Sequence, residues 1–222
     1  MKQPKTWVGL AFILAGIAQA MAQEEKRIDL LEGSSLAAWT DGSGRPVSRG
    51  WAVEDGVLHR KERGGDLFTA REFGDFEFEF EWKVAKASNS GVKYRVRQFE
   101  GGSWLGPEYQ VLDDAFHGDG SSLLTSAGSM YALFPPSEAK KLLPAGEWNV
   151  SKIVVRGTAL EHWLNGELIV KADTESEAWK EAIAASKFRA VKGFGENRRG
   201  RIMLQDHGDE VWFRQLRIRE LE

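Results

Sequence analysis

The chain has 222 residues, with 30 Lys and Arg against 33 Asp and Glu, a net charge of −3 and no cysteine. This acidic balance argues against nucleic acid and anionic membranes as partners, because both favour a basic protein face. The lack of cysteine excludes thiol nucleophiles, disulfides and cysteine-ligated zinc, so the fold has to be held by its apolar core alone.

The first 22 residues have the pattern of a cleavable signal peptide. Two lysines precede an apolar stretch, residues 7–18, which is too short to span a bilayer comfortably and leads to the small-x-small pattern Ala20-Met21-Ala22. We expect cleavage after Ala22 and a periplasmic or secreted location, with an uncleaved anchor as the alternative. Residues 23–222 are predicted to form one domain with a net charge of −5 and no further apolar run long enough to cross a membrane.

Alternation of apolar and polar residues predicts β-strands along most of the chain. In residues 76–84 the side chains of Phe, Trp and Val alternate with Glu and Lys, which is typical of an antiparallel strand with one buried face. Asp55-Gly56 and Asn165-Gly166 predict tight hairpin turns. The other predicted strands are 51–54, 57–59, 92–96, 109–112, 148–155, 160–164, 168–171, 200–205 and 211–219.

Two segments depart from plain alternation. Thr174–Glu177 has the pattern of a capping box and is followed by apolar residues at helical spacing, which predicts one short inserted helix near 174–187. The apolar residues of the last strand change parity, and a bulge near Arg214-Gln215 would bring them all to one side. The pattern as a whole predicts an all-β fold, a two-sheet antiparallel sandwich or jelly roll.

Polar side chains on strand faces are the candidates for chemistry, because the chain lacks the sequence signatures of common hydrolases, nucleotide-binding loops and calcium loops. Lys93, Arg95 and Arg97 alternate with apolar residues, so they would form a row of cations on one sheet face. A solvated outer face is the alternative interpretation of this row.

A second candidate group lies in the next predicted strand. Glu108 and Gln110 share one face, and Asp113 follows just beyond the strand. Carboxylates and an amide in this arrangement could bind sugar hydroxyls, hold a cation or do acid–base work. Asp113 could instead only start a turn.

The third candidate group contains Gln205 and His207, which alternate onto one face at the end of a strand. A histidine there titrates near neutral pH and could act as general acid or base, or it could be structural. Trp104 lies in a glycine-rich segment, where it could stack on a pyranose ring or anchor a loop. His162 lies among apolar strand residues and is predicted to belong to the core.

Six short motifs occur in order along the chain: Gly64–Thr69, Phe73–Glu77, Asn89–Val92, Gly106–Gln110, Trp163–Gly166 and Leu204–Gly208. Together they resemble the 3-keto-disaccharide hydrolase family, which was long catalogued as a domain of unknown function. The resemblance runs from about Ile28 to Leu221, and only Leu31–Trp39 departs from the expected pattern. It implies a concanavalin-like jelly roll with a sugar site on one sheet, bacterial export, and activity on glycosides oxidised to a ketone at C3.

The chemistry that the resemblance implies begins with removal of the acidified C2 proton, continues with elimination of the glycosidic oxygen from C1, and ends with hydration. It needs a base, for which we expect Glu108 or His207, and cations over the developing oxyanion, for which we expect Lys93 and Arg95. The remaining polar candidates would hold substrate hydroxyls: Gln110, Asp113 and Gln205.

Four alternatives stay open on the sequence alone. Two carboxylates could hydrolyse an unoxidised glycoside directly. No cofactor is established, but a divalent cation could be held by Glu108, Asp113 and His207. The same sandwich could also be a non-catalytic, lectin-like carbohydrate-binding module, or an exported interaction domain.

Overall fold

The computed structural model describes residues 27–222, so the predicted signal peptide, residues 1–22, lies outside the described residues. Two antiparallel sheets pack face to face around one large apolar core. This confirms the predicted all-β, two-sheet sandwich. Within the described residues, no helix is both long and apolar enough to cross a membrane.

The first sheet has eight strands in the order β12-β11-β10-β6-β14-β4-β3, with β1 also paired to β14. Its strands are β1 (Arg27–Asp29), β3 (Trp51–Glu54), β4 (Val57–Arg60), β6 (Phe76–Val84), β10 (Asn149–Arg156), β11 (Ala159–Leu164), β12 (Glu167–Asp173) and β14 (Val211–Glu220).

The second sheet has six strands in the order β2-β5-β13-β7-β8, with β9 also paired to β7. Its strands are β2 (Trp39–Thr40), β5 (Leu67–Thr69), β7 (Asn89–Gln98), β8 (Trp104–Leu105), β9 (Glu108–Leu112) and β13 (Arg201–Leu204). In the described part of the chain, the connections contain two short 3-10 helices, Glu32–Ser34 and Gly118–Ser121, and one α-helix, α1 (Glu177–Ala185).

The alternation predicted for residues 76–84 is present along the whole of β6, whose aromatic side chains are buried while its charged ones are only partly covered. Phe80 packs edge-on against Tyr109, and Phe76 packs edge-on against Tyr94, so these rings join the two sheets. Rings of this size bury large apolar areas and prefer edge-to-face contacts. The core thus compensates for the missing disulfides.

Turn and bulge residues adopt the backbone conformations that the sequence predicts. Both residues of Asp55-Gly56 and of Asn165-Gly166 have positive φ, as tight hairpin turns require. Gln215 has φ 54°, and the pairing of β14 with β6 shifts between Arg214 and Arg217. This bulge returns Leu216 to the buried face, as predicted.

His162 is fully buried between the sheets, as its sequence context predicts. Its Nε2 lies 3.0 Å from the Tyr94 hydroxyl, and its Nδ1 lies 3.1 Å from the Gly128 carbonyl oxygen. Burial lowers the pKa of His162 to about 4, because a charged imidazolium would lose its hydration there. This histidine is a neutral part of the core.

The helix lies where it is predicted, but its cap differs from the prediction. Ser176, and not Thr174, is the N-cap, and the Ser176 hydroxyl accepts a hydrogen bond from the Trp179 amide at 3.1 Å. Trp179, in the first turn, is buried in the main core. The ring of Trp179 stacks on Phe134 at 6.0 Å.

We expect Ser176→Ala to lower the free energy of unfolding by about 1 kcal/mol, because an orphan amide of the first helical turn loses its acceptor. Thr174→Ala is the matched control and should change stability by less than half as much, since the Thr174 hydroxyl accepts only an exposed bond from Arg198. Urea denaturation of both variants measures the difference. A larger loss in Thr174→Ala would contradict the observed cap.

Candidate active site

A polar site lies on the face of the second sheet that points away from the first sheet. On this face, Lys93 in β7 is paired with Glu108 in β9 on one side and with Met203 in β13 on the other. In the next row, Gly91 in β7 is paired with Gln110, and its carbonyl accepts the amide of Gln205 at 3.0 Å. Strand pairing therefore brings together residues that are over 100 positions apart in the sequence.

Glu108 is the most deeply buried acid of this site, with 6% of its surface exposed. Its Oε2 lies 3.8 Å from the Nζ of Lys93. Burial raises the pKa of the Glu108 carboxyl above its ordinary value, while the nearby Lys93 and Lys187 oppose this shift. A carboxylate in this environment binds a proton more readily than an exposed one, as a general base should.

Gly91 leaves the space in which Glu108 and Gln205 meet. A Cβ atom at position 91 would lie 2.5 Å from Oε1 of Glu108 and 2.2 Å from Oε1 of Gln205. Any larger residue would therefore push at least one of these side chains out of the site. Glycine is required here for the close approach of side chains and not for its backbone conformation.

Three amide side chains in the site have buried oxygen atoms without a hydrogen-bond partner among the described residues. They are Asn89 Oδ1, Gln110 Oε1 and Gln205 Oε1. The amide nitrogen of Gln110 donates to the Thr125 carbonyl at 3.1 Å, which fixes its oxygen as the free acceptor. Buried acceptors without partners are costly, and a ligand with several hydroxyl donors would satisfy them.

Loops from distant parts of the chain complete a cavity of about 220 Å³ over these residues. Tyr131 is held beside Glu108 by a backbone bond of 3.0 Å from its amide to the Glu108 carbonyl. Lys187, which follows α1, places its Nζ 4.2 Å from the centre of the Tyr131 ring. Asp119, in the second 3-10 helix, also lines the cavity.

Sequence reasoning missed Asp119, Tyr131 and Lys187 as members of the site. Asp119 lies in a short 3-10 helix, Tyr131 and Lys187 lie in turns, and none of them has a period-two pattern around it. Asn89 and Gly91 were noted only as part of a motif. The Asn-Ser-Gly segment at the start of β7 was the available signal, since glycine inside a strand often marks a close approach.

His207 lies at the exposed mouth of the same cavity, in a loop that its neighbour Asp206 holds in place. The Asp206 carboxylate accepts the amides of Gly64 and Gly65, each at 2.8 Å, and binds Arg60 at 2.8 Å. Partial burial and Lys93 lower the pKa of His207, while Asp66 opposes the shift.

Of the predicted site residues, the structure brings Glu108, Gln110, Lys93, Gln205 and His207 into one cavity. This is the larger part of the predicted set. Three predicted members, Arg95, Asp113 and Trp104, lie outside it.

Arg95 is not on the site face, contrary to the predicted row of cations. Its φ of 48° interrupts the alternation of β7, and its side chain is 97% covered. The guanidinium donates to the carbonyls of Gly74 and Gly157 and to the carboxylate of Asp75, at 2.8–3.0 Å. It therefore ties β7 to the end of the first sheet.

Asp113 and Trp104 also have structural roles outside the cavity. The Asp113 carboxylate accepts the backbone amides of Ala87 at 2.8 Å and Ala115 at 3.2 Å, so it stabilises the turn beyond β9. The Trp104 ring packs on Phe68, with centroids 5.1 Å apart, and under the guanidinium of Arg201. Trp104 covers the apolar end of the same sheet face without lining the cavity.

The hypothetical cation site of Glu108, Asp113 and His207 is not assembled. Residues 27–222 contain no cluster of three His, Asp or Glu side chains with the geometry of a metal site. The backbone bonds of Asp113 are the physical reason, because they keep its carboxylate in the turn.

Comparison with known proteins identifies the family. The model of the 3-keto-alpha-glucoside-1,2-lyase-like domain matches residues 26–219. The chain belongs to this family. A 3-keto-disaccharide hydrolase from Bacteroides thetaiotaomicron is 34% identical over 230 residues, covering 88% of this chain and 78% of the relative.

Solved structures agree with this assignment. A provisionally named glycosyl hydrolase from Parabacteroides distasonis has a TM-score of 0.81 at 30% identity, covering 91% of this chain and 97% of the other. A second one from the same organism has a TM-score of 0.66 at 25% identity, covering 88% and 100%. The protein is a carbohydrate-acting glycoside hydrolase with a concanavalin-like jelly-roll fold.

We expect Arg95→Met to lower the free energy of unfolding by about 3 kcal/mol, because three bonds to a buried charged donor are lost. The KM of the folded enzyme should not change, since Arg95 does not reach the cavity. Urea denaturation and steady-state kinetics measure the two effects. Arg63→Met, at an exposed arginine, is the control. If Arg95→Met raised KM without lowering stability, Arg95 would contact substrate after all.

Proposed function

We propose that this hydrolase cleaves the glycosidic bond of 3-keto-glycosides by removing the C2 proton. The observation that carries the proposal is the buried carboxylate of Glu108, which faces two lysines in a cavity with His207 at its mouth. The family assignment and the name of the Bacteroides relative support the substrate class.

Glu108 is the proposed base. It takes the C2 proton, which the neighbouring C3 ketone makes acidic, and becomes a neutral carboxylic acid. The electron pair of the C2–H bond forms a C2–C3 double bond, and the π pair of the C3 carbonyl moves onto its oxygen, which becomes negatively charged. Deep burial beside Lys93 makes Glu108 the better candidate than the exposed His207.

Lys93 and Lys187 stabilise the enolate. Both lie near the Glu108 carboxylate before the reaction, where each lowers the pKa of Glu108. Proton transfer moves one unit of negative charge from this carboxylate to the substrate oxygen, so the same two cations can stabilise it afterwards. Preorganised charges of this kind require little reorganisation during the reaction.

His207 is the proposed acid for the leaving group. When the enolate collapses, the bond between C1 and the glycosidic oxygen breaks, and His207 donates a proton to that oxygen. Water then adds to the resulting C1–C2 double bond: its hydroxyl joins C1, its released proton returns to His207, and Glu108 gives its proton back to C2. This step restores the 3-keto sugar and both catalytic groups. The buried oxygens of Asn89, Gln110 and Gln205 accept the sugar hydroxyls.

We also propose that the enzyme acts in the periplasm or outside the cell. The N-terminal pattern of lysines, apolar stretch and small-x-small site supports this location. N-terminal sequencing of the protein recovered from its native host should give Gln23 as the first residue.

We expect the protein to release the aglycone from a 3-keto-glucoside and not from the unoxidised parent glucoside. Glu108→Gln should lower kcat on the keto substrate by about 10²- to 10⁴-fold, because the base is lost while the shape of the side chain is kept. Aglycone release, followed by chromatography, measures both effects.

The exposed Glu100→Gln is the matched control and should keep wild-type turnover. Equal release from both substrates would instead favour direct hydrolysis by two carboxylates. Binding of either sugar without release would favour a lectin-like module. If both Glu108→Gln and His207→Ala kept near wild-type turnover on the keto substrate, the assignment of the base and acid would be wrong.

We expect Lys187→Met to lower kcat about 100-fold, the cost of losing one oxyanion-stabilising group. The pH profile of kcat/KM should change as well. Activity requires ionised Glu108 and falls as the pH drops through its pKa, and removing a cation raises that pKa. The acidic limb should therefore move to higher pH.

Lys192→Met, an exposed lysine of the same segment, is the control and should leave both the rate and the limb unchanged. A slower Lys187→Met enzyme whose acidic limb stays in place would mean that Lys187 acts only by packing on Tyr131.

A further inference from the structure

A groove of about 580 Å³ lies beside the cavity that contains Glu108, and the proposed proton transfers do not involve it. It runs between the segments 41–49 and 64–67. The side chains of Arg45, Ser48, Arg49 and Asp66 line it.

The groove begins where the cavity ends. Leu67 in β5 is paired with Leu204 in β13, so the register puts Asp66 beside Gln205, which lines the cavity. Asp66 accepts the amide of Asp206 at 2.8 Å, and Lys93 and His207 lie close enough to oppose the rise in the pKa of Asp66 that burial causes. A substrate that fills the cavity and extends past His207 would therefore enter this groove.

Gly64, which lines the groove, is held in place from two sides. Its backbone lies so close to that of Gly50 that a Cβ atom at position 50 would lie 2.3 Å from the Gly64 Cα. The amide of Gly64 donates to the Asp206 carboxylate at 2.8 Å. Asp206 thus holds both this part of the groove wall and the loop that carries His207.

The chemistry of the groove suits a polyhydroxylated group. The guanidinium of Arg49 has no hydrogen-bond or ion-pair partner among residues 27–222. Burial raises the pKa of the Asp66 carboxyl, which accepts one backbone amide. A guanidinium, a carboxylate and a hydroxyl offer both donors and acceptors, as sugar hydroxyls require. Among residues 27–222, no aromatic ring lines this groove, so nothing there favours a flat apolar aglycone.

We propose that this groove is the leaving-group subsite and that it binds a second sugar ring, with Arg49 donating to its hydroxyls. This inference rests on the proposed function, because it places the bond to be cleaved at His207, between cavity and groove. The leaving oxygen would then depart on the side where His207 can donate its proton.

The test compares methyl 3-keto-α-glucoside with 3-keto-trehalose, which share the glycone but differ in the leaving group. In the Arg49→Ala variant, KM for the disaccharide should rise about tenfold, the effect of one lost bond from a charged donor. KM for the methyl glycoside should stay within about twofold. Ser48→Trp, which fills the groove, should also raise KM for the disaccharide more than KM for the methyl glycoside.

Arg63→Ala, an exposed arginine outside the groove, is the matched control and should affect neither substrate. Equal effects of Arg49→Ala on both substrates, or none on the disaccharide, would overturn the subsite while the proposed function stands. Turnover of neither keto substrate by the wild-type enzyme would overturn the proposed function and the subsite with it.

Discussion

The contact between Glu108 and Lys93 is the interaction on which the site depends. Removing a carboxylate from water is costly, and one lysine at 3.8 Å compensates for only part of that cost. The remainder is visible in the raised pKa of Glu108. The strands β7 and β9 hold both groups in register, so the pair cannot relax towards solvent without breaking the sheet. A fold built on the rigid pairing of strands keeps a reactive carboxyl in a position that a loop could not maintain.

Period-two patterns made it possible to predict the fold and the site residues that lie on strands. β6 alternates without a fault along nine residues, and the glycine-containing turns fix the hairpins around it. The same parity argument put Glu108 with Gln110 and Gln205 with His207. Even the bulge at Gln215 could be predicted, because the apolar residues on its two sides change parity.

The errors have equally specific causes. Arg95 was placed by parity, but its positive φ reverses the alternation at that residue, and neighbouring apolar residues give no sign of it. Asp113 was predicted to hold substrate hydroxyls, but its carboxylate accepts backbone amides in a turn, which was the alternative interpretation. Tyr131 and Lys187 reach the cavity through loops whose path depends on packing between distant segments, such as the stacking of Phe134 on Trp179. Such packing leaves no periodic pattern in the sequence.

The fold alone would not have identified an enzyme. The same sandwich can support binding or catalysis, and the difference lies in the groups on one sheet face. Here Glu108 and Lys93 on that face share one cavity with Lys187 and His207 from neighbouring loops.

His162, the neutral histidine between the sheets, makes the free energy of unfolding depend on the pH of the solution. His162 has a pKa of about 4 in the folded protein, whereas an unfolded chain would bind a proton near pH 6.5. As the pH falls from about 6.5 to about 4, His162 binds a proton in the unfolded chain but stays neutral in the folded protein. The loss of stability reaches about 3 kcal/mol by the lower end. An acidic habitat would thus act on this enzyme through its interior, by way of His162, as well as through protonation of Glu108 in the cavity.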